Sequence, residues 1–97
     1  MEKTYEIINL YAEVPEKALK SSDLTNLFYN HCALEVTEYA TETSALKAFN
    51  ELHTTCDRMR GMHGAYYLIN IFELVVDDDI IKTTDLPEML GVQSWSH

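Results

Sequence analysis

Ninety-seven residues suffice for one domain with one core, and a hydrophobic fraction of 46% with three glycines and two prolines excludes a disordered or low-complexity chain. Sixteen acids against seven Lys and Arg leave a formal charge of −9, which argues against direct contact with nucleic-acid phosphates or an anionic membrane surface. That balance fits solubility, or attraction to a basic partner protein.

The opening Met1-Glu2-Lys3-Thr4-Tyr5 lacks the basic region and long apolar stretch of a signal peptide. No apolar run approaches the ~20 residues of a transmembrane helix. Two cysteines, Cys32 and Cys56, are too few for a disulfide framework. A bacterial or viral cytoplasmic location is the expectation.

The first strong segment is Thr4–Val14. Ile8, Leu10, Ala12 and Val14 share one side at period two, while Tyr5, Ile7 and Tyr11 take the other, so this reads as a strand buried on both faces. Pro15 ends it. Glu16–Asn30 reads as an irregular helical link, with Ser22 or Asp23 as a cap and Leu24, Leu27 and Phe28 as its apolar side. Cys32–Ala40 alternates as a half-exposed strand.

Thr41, Thr43 or Ser44 can cap a following helix. Ala45, Leu46, Phe49, Leu52, Cys56 and Met59 then recur at spacings of three and four, predicting one main amphipathic helix over Thr43–Arg60. Arg58 and Arg60 suit its negative end, and Gly61 is a natural stop. After a Gly61–Gly64 turn, Ala65–Val76 is a second strand apolar on both sides. Asp77-Asp78-Asp79 predicts a turn, Ile80–Thr83 a short return strand, and Asp85–Leu90 a closing helical turn.

The resulting expectation is α+β: a small antiparallel sheet of three to four strands packed on the main helix, as a single domain over 1–90 with a C-terminal tail over 91–97. One helix covers one face only. Two strands apolar on both sides therefore need a second cover, supplied by the Glu16–Phe28 segment or by another subunit.

Chemistry-bearing motifs are sparse. His53 and Cys56, three apart on the predicted helix, with His63 and with His31-Cys32, make a zinc-type donor set. No CxxC pair or HExxH accompanies them, and a small buried thiol is the simpler account of Cys56. Asp77-Asp78-Asp79 lacks the alternation, glycine and final glutamate of a calcium loop. No GxSxG, Walker A or dinucleotide-binding glycine pattern occurs, so no catalytic residue is assigned and no cofactor is expected.

Contact-making residues are better represented. Between Ser21 and Leu46 stand Asp23, Glu35, Glu38 and Glu42 without a Lys or Arg, and between Met62 and His97 six acids stand against Lys82 alone. Tyr supplies rigid contact area with a polar tip. Candidate interface residues are thus Tyr5, Tyr11, Tyr39, Tyr67 and Trp95 with Glu35, Glu38, Asp77, Asp78 and Asp79.

Leu34–Tyr39 followed by Thr41–Leu52, with an Ala-x-x-Ala-aromatic-x-x-Leu helix, and then Tyr66–Phe72 running into Asp77–Ile81, resembles small uncharacterised acidic strand–helix–strand proteins of bacteria and their phages. In size, acidity and fold class the chain is also similar to phage-borne inhibitors of host nucleases, anti-CRISPR proteins among them; that likeness carries over no functional residues. The function expected is a non-enzymatic acidic protein-binding module. It would self-associate as a homo-oligomer or dock a basic protein surface, as a phage or mobile-element inhibitor of a nucleic-acid-binding host protein does. It would contact neither nucleic acid nor membrane directly. The alternatives are a small metal-dependent or acid–base enzyme using His53, Cys56 and His63, and a structural accessory subunit.

Overall fold

The two segments that are apolar on both sides become the two central strands of a sheet. A computed structural model of the chain describes residues 3–17 and 24–84. In chain order its elements are β1 (Tyr5–Pro15), α1 (Leu24–His31), β2 (Ala33–Tyr39), α2 (Glu42–Asn50), β3 (Thr55–Gly61), β4 (Gly64–Val76) and β5 (Asp79–Thr83). β1 and β4 pair antiparallel from Tyr5↔Val76 to Pro15↔Tyr66. β2 flanks β1 in the order β2-β1-β4-β3, and β5 shares the outer edge of β4 with β3. Over the described residues the fold is α+β, with an antiparallel sheet of five strands and two helices.

Side-chain alternation sorts the core onto two faces. On the first face Leu10, Ala12 and Val14 of β1 meet Ile71, Ile69 and Tyr67 of β4 in register, and Phe28 of α1, fully buried, packs on them. On the second face Ile7 lies opposite Leu74, covered by Ala45 and Phe49 of α2, with Tyr5, Tyr39 and Phe72 around them. The second cover required by the sequence pattern is thus α1, from the link between β1 and β2. The helices lie diagonally, with α1 over the Val14–Tyr67 half of one face and α2 over the Tyr5–Val76 half of the other.

The predicted main helix is shorter than its apolar stripe. α2 ends at Asn50, with Glu51 as C-cap, and Thr55–Gly61 forms β3 instead. Its start follows expectation: Thr41 Oγ1 accepts from Ser44 N at 3.2 Å. Its end follows from the neighbouring strand. β4 has thirteen residues, and β5 pairs only with Glu73–Val76 of its outer edge. The remaining backbone groups on that edge need partners, and Thr55–Gly61 supplies them in register with Asn70–Gly64. Cys56 still reaches the core, since it lies opposite Ile69 on the α1 face. Met59 is 41% exposed on the other face, and Arg58 and Arg60 are strand residues rather than helix-end cations.

Both hairpins are tight. Met62-His63 joins β3 to β4, and Gly64 takes the positive φ of 117° that closes the turn. Asp77-Asp78 joins β4 to β5 with φ of 50° and 67°, the left-handed pair of a primed two-residue turn, which Asp tolerates better than most residues. Asp77 is tied down as well: its Oδ1 accepts from Thr4 N at 2.9 Å, and its N–H donates to Thr4 O.

Candidate functional site

The diagonal placement of two short helices leaves half of each sheet face outside the helix-covered clusters. On the α2 face, the residues beyond that helix are Asn9, Tyr11 and Glu13 of β1, Ala33 and Glu35 of β2, Tyr66, Leu68 and Asn70 of β4, and Thr55, Asp57 and Met59 of β3, as the registers dictate. Neither core cluster includes Tyr11, Tyr66 or Leu68.

Three cross-strand rows define this half-face. Leu68 sits between Glu13 on β1 and Asp57 on β3, so two exposed carboxylates flank one apolar side chain across about 10 Å, two strand spacings. The next row holds Ala33, Tyr11, Asn70 and Thr55, where Asn70 Nδ2 donates to Thr55 Oγ1 at 3.2 Å. The row on the other side of Leu68 holds Pro15, Tyr66 and Met59. Glu35 adds a third carboxylate opposite Asn9, whose Oδ1 is buried without a hydrogen-bond partner. No Lys or Arg occurs among these paired positions. Depressions of about 470 Å³ and 320 Å³ meet at Glu13, the first reaching Tyr11, His31 and Leu68, the second Tyr66, Met62 and His63.

The basic residues of β3 face the other way. Arg58 lies opposite Tyr67 and Arg60 opposite Ala65 on the α1 face, and Arg58 Nε donates to Glu16 Oε1 at 3.3 Å. That hydrogen bond and the charge of Glu16 hold the guanidinium pKa above its ordinary value.

The residues singled out in sequence are dispersed by this geometry. Tyr11 and Glu35 share the half-face beyond α2. Tyr5 and Tyr39 lie opposite each other and pack against the α2 cluster. Tyr67 is 2% exposed, inside the core under α1. Glu38 sits on the α1 face directly opposite Glu6. Asp77 and Asp78 form the turn at the far end of β4, and Asp79 opens β5. Trp95, the Asp85–Leu90 turn, the 91–97 tail and the Ser22 or Asp23 cap lie outside the described residues. Glu13, Asp57, Tyr66 and Leu68 join Tyr11 only because of strand register. Their one signal in the sequence is period-two alternation, and for Asp57 a helical reading of its segment hid even that.

The zinc-type set is not assembled. His53 is in the loop after α2, Cys56 faces the α1 side of β3 and His63 is in the β3–β4 turn. A three-residue spacing shares a side on a helix but not on a strand. Among the described residues no group of three or more His, Cys, Asp or Glu could hold a metal ion. Burial, with a smaller effect of Asp57, pushes the Cys56 thiol up to about 11 from 9.0. Because the thiolate is the reactive form, alkylation of Cys56 by iodoacetamide at mildly alkaline pH should run on the order of 100-fold slower than that of an ordinary cysteine, a rate that mass spectrometry reads directly. Equal rates would place Cys56 outside the core. Burial also raises the pKa of Glu73, and burial followed by the charge of Glu73 raises that of Tyr29.

Among the described residues no helix is long and apolar enough to cross a membrane. No protein-family model matches the chain, and no curated protein or solved structure matches it either.

Proposed function

We propose that the chain is a non-enzymatic binding module that docks a basic protein surface on the open half of its sheet. The observation that carries this reading is the row Glu13–Leu68–Asp57, with Tyr11 and Tyr66 in the adjoining rows and no cation among the paired positions. An Arg or Lys suits such a site. Its aliphatic stem lies on Leu68, its charge reaches either carboxylate, and the tyrosine faces attract it further. A surface of this kind competes for a groove built to hold phosphates, which is how an inhibitor of a nucleic-acid-binding host protein would act.

An arginine-rich peptide tests the proposal in titration calorimetry. Affinity should fall with added salt, and Glu13→Gln with Asp57→Asn should each weaken binding by roughly two- to fivefold, the worth of a partly exposed charge pair. Glu42→Gln and Asp79→Asn remove the same charge elsewhere and should leave affinity nearly unchanged. If the distant pair weakens binding as much as the sheet pair, the attraction belongs to the net charge and the proposed site is wrong.

A further inference from the structure

The outer edge of β2 is an exposed strand edge of the described fold. Every residue of β2 except Tyr39 is exposed, and Leu34 and Val36 are 61% and 44% exposed although apolar. The strand pairs with β1 over Tyr5–Tyr11 without a bulge, and it contains neither proline nor lysine, two devices that commonly keep an edge from pairing. The other edge is broken up: β3 and β5 divide it between them, and β5 is five residues long beside a bulge at Leu74/Val75.

We propose that a second copy of this chain occupies the β2 edge, as a two-fold antiparallel dimer centred on Val36. This goes beyond the docking of a basic partner and does not depend on it. The register follows from the sequence of the strand. With Val36 opposite Val36 of the second copy, Ala33 meets Tyr39, Leu34 meets Glu38 and Glu35 meets Thr37. No carboxylate faces another across the new seam, and Glu35 faces a hydroxyl that can donate to it; like charges directly opposite would oppose pairing. Ile8, opposite Val36 on β1, continues the apolar row, so Ile8 and Val36 of both copies line one face.

Helix placement fits the same symmetry. α2 packs near Tyr39, whereas α1 leads through Cys32 into Ala33. Pairing Tyr39 with Ala33 of the second copy sets each helix beside the half of its neighbour's sheet that lies beyond the neighbour's own helix on that face, and keeps helix away from helix. An edge pairing of this size makes a weak, concentration-dependent dimer. Each copy carries −9, so added salt should strengthen the dimer, opposite to its effect on a basic ligand.

Two variants of the full chain, each raising the net charge to −8 (−9 plus one), decide the matter in sedimentation equilibrium over about a hundredfold range of concentration. Thr37→Lys faces Glu35 of the second copy twice and should tighten the dimer by roughly three- to tenfold. Val36→Lys faces itself on the axis and should weaken it by about tenfold or more. A wild-type monomer at every concentration and salt overturns the proposal, as does an equal shift in both variants. Growth into ever larger species also overturns it, because that marks head-to-tail pairing of unlike edges. Circular dichroism verifies the fold, and if Val36→Lys fails to fold, Thr37→Lys alone still decides. Peptide binding that weakens with salt while the chain stays monomeric would sink the dimer and leave the docking site standing.

Discussion

Phe28→Ala is expected to lower the unfolding free energy by about 3–5 kcal/mol, the range for removing a fully buried phenylalanine and leaving a cavity. Phe28 is 0% exposed and, among the described side chains of α1, is the buried one that joins the Leu10, Ala12, Val14, Tyr67, Ile69 and Ile71 cluster. α1 has only eight residues, too short to be stable in water without packing. Its loss uncovers one face of β1 and β4, so the variant should also bind a hydrophobic dye. Urea denaturation measures the effect, and a loss under about 1 kcal/mol would mean that α1 is not the cover this packing requires.

Phe49→Ala should cost about 3–4 kcal/mol, somewhat less because Phe49 is 7% exposed on the nine-residue α2. The informative quantity is the double variant. Phe28 and Phe49 belong to separate clusters on opposite faces, so their effects should add within about 0.5 kcal/mol. The sum, about 6–9 kcal/mol, is comparable to the whole stability of a small domain, and the double variant should be largely unfolded at room temperature. A coupling well above 0.5 kcal/mol in urea denaturation would show that the clusters act as one core through the shared strands.

The long alternating runs made β1 and β4 legible, because period two survives in a strand buried on both sides. The Thr41 cap and the turns at Gly61–Gly64 and Asp77–Asp79 were legible for local reasons: a hydroxyl reaching Ser44 N, a glycine with positive φ, and aspartates that tolerate left-handed backbone. The segment after Asn50 was not. Leu52, Cys56 and Met59 continue the three-and-four spacing of α2, whereas in a strand Cys56 and Met59 fall on opposite faces and leave no period-two pattern. The local signal favours a helix, and pairing with the edge of β4 overrules it.

The same separation governs the candidate site. Acidity, the tyrosines and the need for a second cover are properties of the chain, since each follows from residue type or from a period of two. Which carboxylates share a surface is a matter of register. Glu13 and Asp57 lie far apart in sequence and flank Leu68 only because β1 and β3 take opposite edges of β4, while Glu35 and Glu38 part to opposite faces because three is an odd step along a strand. Composition and alternation thus set how much apolar surface had to be hidden and what charge remained outside. Only strand pairing, driven by backbone groups that must find partners, decided where the helix ended and which residues share the half of the sheet beyond α2.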